Sequence, residues 1–205
     1  MKTGELKATA STLAEELGWR WPLTLIRTIR RGNAIFQEIH WSHEDGAEAE
    51  FARRIAFGSG LYLTLKEKHG QPRALWITRR ILVPIGCMEQ WENLRSLDLS
   101  GRPPMERLRA FYDFMGSQGV GQFVERRIIE SGEDRLSYEV RGCLFKRFYD
   151  EVGTPELTRL FCDVDHEFFS EAFPEFTFHR GGSRENTEAY GEEHCKFMFE
   201  LNTIT

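Results

Sequence analysis

FVERRIIESGEDRLSYEV, residues 123–140, is the stretch of sequence that decides the fold. Its first part, 123–129, is rich in apolar and β-branched residues, and the polar segment 131–134 contains a glycine. Over 136–140, apolar and polar residues then alternate, as in a strand with one buried face. The stretch therefore predicts a β-hairpin.

The residues after this hairpin extend the pattern. Helical spacing and flanking prolines predict helices over Cys143–Val152 and Pro155–Phe173, separated by Gly153-Thr-Pro155. Alternating residues at 176–178 and 195–201 predict two more strands. The order β-β-α-α-β-β indicates an antiparallel sheet with helices on one face, so the fold class is α+β.

The first hundred residues are predicted to be mainly helical. We expect helices over Ala8–Leu17, from Pro22 onward, and from Asp45, as N-cap, to Lys68. The Gly58-Ser-Gly60 segment of the third helix indicates a point of close packing. Residues 74–85 fit either a buried strand or a helix, because a short apolar run does not distinguish the two.

A turn-rich segment, Leu97–Pro104, precedes a further helix that begins at Pro104. We place an internal boundary near Gly101. Residues 1–101 are expected to form a helical N-terminal layer and residues 102–205 an α+β unit that carries three of the four cysteines. Together they are expected to make one compact domain.

Composition and charge exclude several classes of protein. The 205 residues carry a net charge of −5, with 27 basic and 32 acidic side chains interspersed, which argues against a nucleic-acid partner. No apolar run approaches the roughly 20 residues of a membrane span, and no apolar segment follows Lys2 as it would in a secretory signal. We expect a cytoplasmic protein that acts on a small molecule, with neither membrane nor nucleic acid as partner; the sequence gives no indication of its oligomeric state.

Chemistry is indicated only by the cysteines, because the sequence lacks GxGxxG, GxxxxGK[ST], HExxH, CxxC and GxSxG motifs. In an intracellular chain of this length, the four cysteines are thiols, metal ligands or buried apolar residues rather than disulfides. Cys87 has few charged neighbours and is interpreted as structural.

Cys143 has two interpretations. In the first turn of a helix, a thiol interacts with the positive end of the helix dipole, which lowers its pKa and favours a reactive thiolate. Alternatively, Cys143 packs beside Leu144 and Phe148 as a small apolar residue.

The segment Cys162-Asp-Val-Asp-His166 is the densest group of candidate ligands and acid–base residues. On a helix, Asp165 and His166 share a face with Cys162. They can activate a thiol nucleophile, supply part of a metal shell together with Cys143 and Cys195, or form a solvated face beside a buried cysteine. The spacing leaves all three interpretations open.

His194 and Cys195 face opposite sides of the last strand, so only one of them can line a given pocket. Cys195 shares its face with two phenylalanines and is a candidate both for the core and for the site. Arg141 is either a clamp for a substrate carboxylate or an exposed arginine.

Taken together, the C-terminal motifs resemble the L-2-amino-thiazoline-4-carboxylic acid hydrolase family over residues 138 to 200. The segments that carry the resemblance are Cys143-Leu-Phe, Gly153-Thr-Pro-Glu-Leu157, Cys162-Asp-Val-Asp165 and Gly191-Glu-Glu-His-Cys195-Lys-Phe197. The closing Gly-x-x-x-Cys-x-Phe also resembles the ends of four-vinyl-reductase-type ligand-binding domains.

The resemblance implies a hydrolase that opens a small carboxylated C=N heterocycle. It implies Cys143 or Cys162 as nucleophile, Asp165 as the residue that holds the amidinium, and Cys195 as a third member of the pocket. Arg141, His166 and His194 are candidates for substrate binding. No cofactor is expected. The alternative is a non-catalytic sensor module in which the same cysteines bind Zn, Fe, haem or an apolar ligand.

Overall fold

The computed structural model describes residues 3–39, 46–118 and 120–202. Asp45, the predicted helix cap, lies outside the described residues. In chain order the helices are α1 (Thr3–Leu17), α2 (Trp21–Glu38), α3 (Ala47–His69), α4 (Gln71–Arg95), α5 (Pro104–Ser117), α6 (Leu144–Glu151) and α7 (Thr158–Ala172). The strands are β1 (Glu125–Ser131), β2 (Arg135–Arg141), β3 (Phe176–His179) and β4 (Cys195–Leu201). The α+β class is confirmed.

Most predicted helices are present, with different bounds. Pro22 lies in the first turn of α2, as predicted. The first helix begins at Thr3, five residues before the predicted start at Ala8. The ambiguous residues 74–85 belong to α4, whose 25 residues bury Ala74, Ile77 and Ile81 at helical spacing.

The chain divides into two compact units. The first comprises Met1–Ile85 and Phe148–Leu160, and the second comprises Gly86–Arg147 and Phe161–Thr205. None of the helices that the structure describes is long and apolar enough to cross a membrane.

In the first unit, α2 and α3 pack closely through glycines. A Cβ atom on Gly60 would lie 2.6 Å from the Gly32 nitrogen and the Thr28 carbonyl oxygen. A Cβ atom on Gly58 would meet the side chains of Leu82 and Tyr149 at 3.0 Å. The predicted close packing at Gly58-Ser-Gly60 is therefore confirmed.

The turn at Pro155–Leu157 is anchored on α3 within the same unit. Tyr62 donates a hydrogen bond to the Glu156 carboxylate. The hydroxyls of Ser59 and Thr154 are 3.0 Å apart and buried. Because buried hydroxyls need partners, these contacts hold the Gly-x-Pro-Glu-Leu segment in place.

The second unit contains a four-stranded antiparallel sheet in the order β1-β2-β4-β3. The predicted order β-β-α-α-β-β is confirmed. Cα pairing places Val140 opposite Cys195 and Tyr138 opposite Phe197. Directly opposed residues of an antiparallel pair point to the same face, so these four side chains share one face of the sheet.

That face is covered by an aromatic core. Helices α5 and α7 contribute half of its buried side chains, Phe173 follows the end of α7, and β2, β3 and β4 contribute the rest. The buried members are Met105, Leu108, Phe111, Leu136, Tyr138, Phe168, Phe169, Phe173, Phe176 and Phe199. The rings meet edge-on or offset at centroid distances near 5 Å, for example 4.9 Å between Phe169 and Phe199. The core fixes α7 against the sheet.

Candidate active site

The three C-terminal cysteines converge on the segment around Thr187 and Glu188, all within the second unit. The Cys162 sulfur lies 3.6 Å from the Thr187 hydroxyl oxygen. The Glu188 backbone N–H donates to the Cys195 sulfur at 3.4 Å. The Cys143 backbone N–H donates to Glu188 Oε2 at 3.1 Å. One short segment therefore contacts three cysteines that are far apart in sequence.

Three different elements position these cysteines. Gly142 has φ of 76°, a conformation that suits glycine, and turns the chain from β2 into α6. The Cys143 carbonyl accepts the Arg147 N–H at 3.0 Å, so Cys143 stands at the start of α6. Cys162 belongs to α7, and Cys195 opens β4 on its core-facing side. Cys143 and Cys162 are half-buried and Cys195 is buried.

Burial keeps the thiols protonated at neutral pH. It raises the pKa of Cys195 to about 12 and raises that of Cys162. The pKa of Cys143 is raised by burial and also by the neighbouring Cys195, Cys162 and Glu188, although the Lys146 backbone N–H opposes the rise. Of the two interpretations of Cys143, this environment favours the protonated, packed thiol, because desolvation outweighs the effect of the helix terminus on its pKa.

An ion pair between a buried arginine and a half-buried aspartate lies beside the thiols. Arg180 is 1% exposed, and its Nη2 is 2.6 Å from Asp165 Oδ2. Its Nη1 donates to the Lys196 carbonyl at 3.1 Å, and the guanidinium lies 4.3 Å from the Phe197 ring centroid. Burial raises the pKa of Asp165 and Arg180 opposes that rise; the same guanidinium opposes the rise at Cys162 and Cys195.

His166 is a neutral imidazole at pH 7. Burial, with Arg180 and Arg184, lowers its pKa to about 4. Its ring centroid lies 5.0 Å from that of Phe178. Its Nε2 is buried and has no hydrogen-bond partner among the residues that the structure describes. His166 follows Cys162 by one helical turn, as the sequence predicted.

Two sequence candidates lie on the opposite face of the sheet. Val140 is on the core face with Cys195, so its neighbour Arg141 points to the other face, as does His194. Arg141 pairs with Glu193 at 3.2 Å, and His194 Nε2 lies 2.9 Å from Glu139 Oε1. The structure thus places Arg141 and His194 apart from the three cysteines.

Sequence reasoning missed Arg180, Thr187 and Glu188. The only signal near Arg180 is its position after a strand and before Gly181-Gly182. Thr187 is fully buried, which is unusual for a residue in a polar loop. No local motif marks Glu188.

Among residues 3–39, 46–118 and 120–202, no group of three or more His, Cys, Asp or Glu side chains is arranged to hold a metal ion. A tetrahedral site needs four ligands, or three and an open position, at about 2.0–2.3 Å from the metal. The thiol cluster does not have that form in this structure.

The family model of L-2-amino-thiazoline-4-carboxylic acid hydrolase matches residues 48–199. The chain belongs to this family. The match includes the segments that carry the sequence resemblance and extends it into the helical half. No curated protein matches the sequence.

Two solved structures are similar over their whole length but only weakly. The crystal structure of an Fe(II) unliganded H-NOX protein from K. algicida is 10% identical, with 100% of this chain and 98% of that chain covered and a TM-score of 0.37. A point mutant of that protein is also 10% identical, with 98% and 97% covered and a TM-score of 0.34. At these scores the likeness has no bearing on the fold or function of this chain.

Proposed function

We propose that the protein is a hydrolase that opens a small carboxylated C=N heterocycle of the 2-aminothiazoline-4-carboxylate type, using the thiols of its second unit. The observation that carries the proposal is the convergence of Cys143, Cys162 and Cys195 on Thr187 and Glu188. Membership of the family supports the reaction class.

The proposed reaction has two steps. A cysteine thiol adds to the amidine carbon C2, the ring C2–S bond breaks, and the thiol proton passes to the leaving ring sulfur. Water then adds to the carbon bound to the enzyme, releases the cysteine as a thiol, and leaves a carbamoyl product with a free thiol. The product is the substrate plus one water molecule.

The surroundings of the thiols favour this chemistry. Arg180 stabilises negative charge that develops on Cys162 or Cys195. His166 has a pKa of about 4 and is too weak a base to take the thiol proton, so the proton passes from the thiol to the ring sulfur. Arg141 and His194 lie on the other face of the sheet, so the proposed reaction does not involve them.

Serine substitutions at the three cysteines test the proposal, with Cys87→Ser as matched control. Cys87 is also half-buried, but its sulfur contacts the Val164 carbonyl at 3.9 Å rather than the Thr187–Glu188 segment. Turnover of 2-aminothiazoline-4-carboxylate is measured by chromatography and mass spectrometry. We expect it to fall on the order of 100-fold or more in at least one of Cys143→Ser and Cys162→Ser, because that variant lacks the nucleophile.

Cys87→Ser is expected to turn over substrate like the unsubstituted protein. Full activity in all three variants would overturn a thiol-dependent reaction. Metal analysis of the same preparations addresses the alternative function: stoichiometric Zn or Fe that is lost in the serine variants, without any turnover, would favour a binding module.

A further inference from the structure

Resting on the proposed function, we infer that Glu188 binds the amidinium cation of the substrate through Oε1, while Oε2 holds the backbone of Cys143. The role differs from the one that the family resemblance implied for Asp165. Glu188 is a binding residue in this inference, and the thiols remain the reacting groups.

Glu188 is built into the thiol cluster at two points. Its Oε2 accepts the Cys143 N–H at 3.1 Å, and its own backbone N–H donates to the Cys195 sulfur at 3.4 Å. After burial, the negative charge of Glu188 is a further cause of the raised pKa of the Cys143 and Cys195 thiols. A group bound at the carboxylate therefore lies beside the Cys143 backbone and within electrostatic range of the Cys143 and Cys195 thiols.

The second carboxylate oxygen is unsatisfied. Glu188 Oε1 is buried and accepts no hydrogen bond from the described part of the chain. No basic side chain in those same residues forms an ion pair with Glu188. A buried carboxylate oxygen without a donor is costly, and a planar N–H cation supplies both the donor and the opposite charge.

Asp165 is a poorer candidate for the same role. Its Oδ2 is bonded to Arg180 at 2.6 Å, and this guanidinium already neutralises the carboxylate. A second cation beside the pair would meet like charge from Arg180, which is 1% exposed and cannot be screened by solvent. Of these two carboxylates, only that of Glu188 has an oxygen without a donor and no paired cation among the described residues.

Two small probes separate charge recognition from shape. S-methylisothiourea is a planar cation with the N–C(S)–N core of the substrate, and thiourea is its neutral analogue. We expect the protein to prefer the cation in calorimetric titrations. Glu188→Gln keeps an oxygen that accepts the Cys143 N–H but loses the charge, so we expect it to bind S-methylisothiourea at least about tenfold more weakly, as for a lost charged hydrogen bond.

Thiourea binding is expected to be the same in both proteins. Glu192→Gln is the matched control, because Glu192 is exposed four residues further along and its loss is expected to change neither affinity. Equal binding of the cation by Glu188→Gln and the unsubstituted protein would overturn the inference. An equal loss of affinity for S-methylisothiourea and thiourea in Glu188→Gln would overturn it as well. If Glu188→Gln does not fold, the titrations of the unsubstituted protein test the inference. Tighter binding of S-methylisothiourea than of thiourea supports the role of Glu188, and equal binding of the two overturns it.

These titrations measure binding without turnover. Absence of any ring opening by the unsubstituted protein would overturn the proposed function and leave the binding result standing. Retained turnover with no cation preference would overturn the role of Glu188 alone.

Discussion

The Arg180 side chain is 1% exposed and pairs with Asp165. Its positive charge opposes the rise in pKa that burial causes at Cys162 and Cys195. Removing one member of a buried ion pair leaves an uncompensated charge, which costs about 3–5 kcal/mol, and the 27% exposure of Asp165 puts the expected cost at the lower end of that range. We therefore expect Arg180→Met to lower the free energy of unfolding by about that amount, measured by chemical denaturation with turnover assayed in parallel.

The control for this prediction is Arg184→Met, because Arg184 is exposed. Surface substitutions of this kind change stability by roughly 0.5 kcal/mol or less. Similar small effects of the two substitutions would contradict the structural importance of the Arg180–Asp165 pair.

At the residue scale, the sequence was informative about the cysteines and uninformative about their partners. Cys162, Asp165 and His166 are close in sequence, so helical spacing alone predicts that they share a face. Glu188 meets Cys143 across 45 residues and Arg180 meets Asp165 across 15 residues. Contacts of this kind depend on the sheet register and the α7 packing, which no local pattern encodes.

At the scale of elements, the close packing of α2 on α3 gives a second prediction. Alanine at Gly60 would gain roughly 1 kcal/mol of helix propensity, but its Cβ would lie 2.6 Å from backbone atoms of Gly32 and Thr28. Backbone cannot move aside as a side chain can, so we expect Gly60→Ala to destabilise the protein by about 1–3 kcal/mol, measured by denaturation.

Gly132→Ala is the matched control, since the nearest atom to its Cβ, an Asp134 carboxylate oxygen, would be 3.6 Å away. The expected change is roughly 0.5 kcal/mol or less. A neutral or stabilising Gly60→Ala would show that α2 and α3 do not approach as closely as described.

The types and order of most elements could be predicted because hydrophobic period and turn residues are local properties. The hairpin at 123–140 and the two following helices are examples. Residues 74–85 could not be resolved, because two short apolar runs flank Arg79 and Arg80 and the second contains Pro84, yet the segment lies within a 25-residue helix. Length, set by the residues flanking the run, decides between strand and helix there.

At the scale of the whole molecule, the family match runs from residue 48 to residue 199 and so includes parts of both compact units. The cysteines, Glu188, Asp165 and Arg180 all belong to the second unit. The central claim of a single thiol site is therefore a claim about that unit, and it depends on three separate segments of chain coming together.

This convergence is tested most directly by asking whether one bound compound protects all three thiols from alkylation. Alkylation by iodoacetamide at pH 9 is followed cysteine by cysteine by mass spectrometry, with and without saturating 2-aminothiazoline-4-carboxylate. With iodoacetamide in large excess over the compound, so that the thiol product cannot deplete it, we expect the compound to slow alkylation of Cys143, Cys162 and Cys195 together and to leave that of Cys87 unchanged. Protection of none of the three, or of only one, would contradict a shared site.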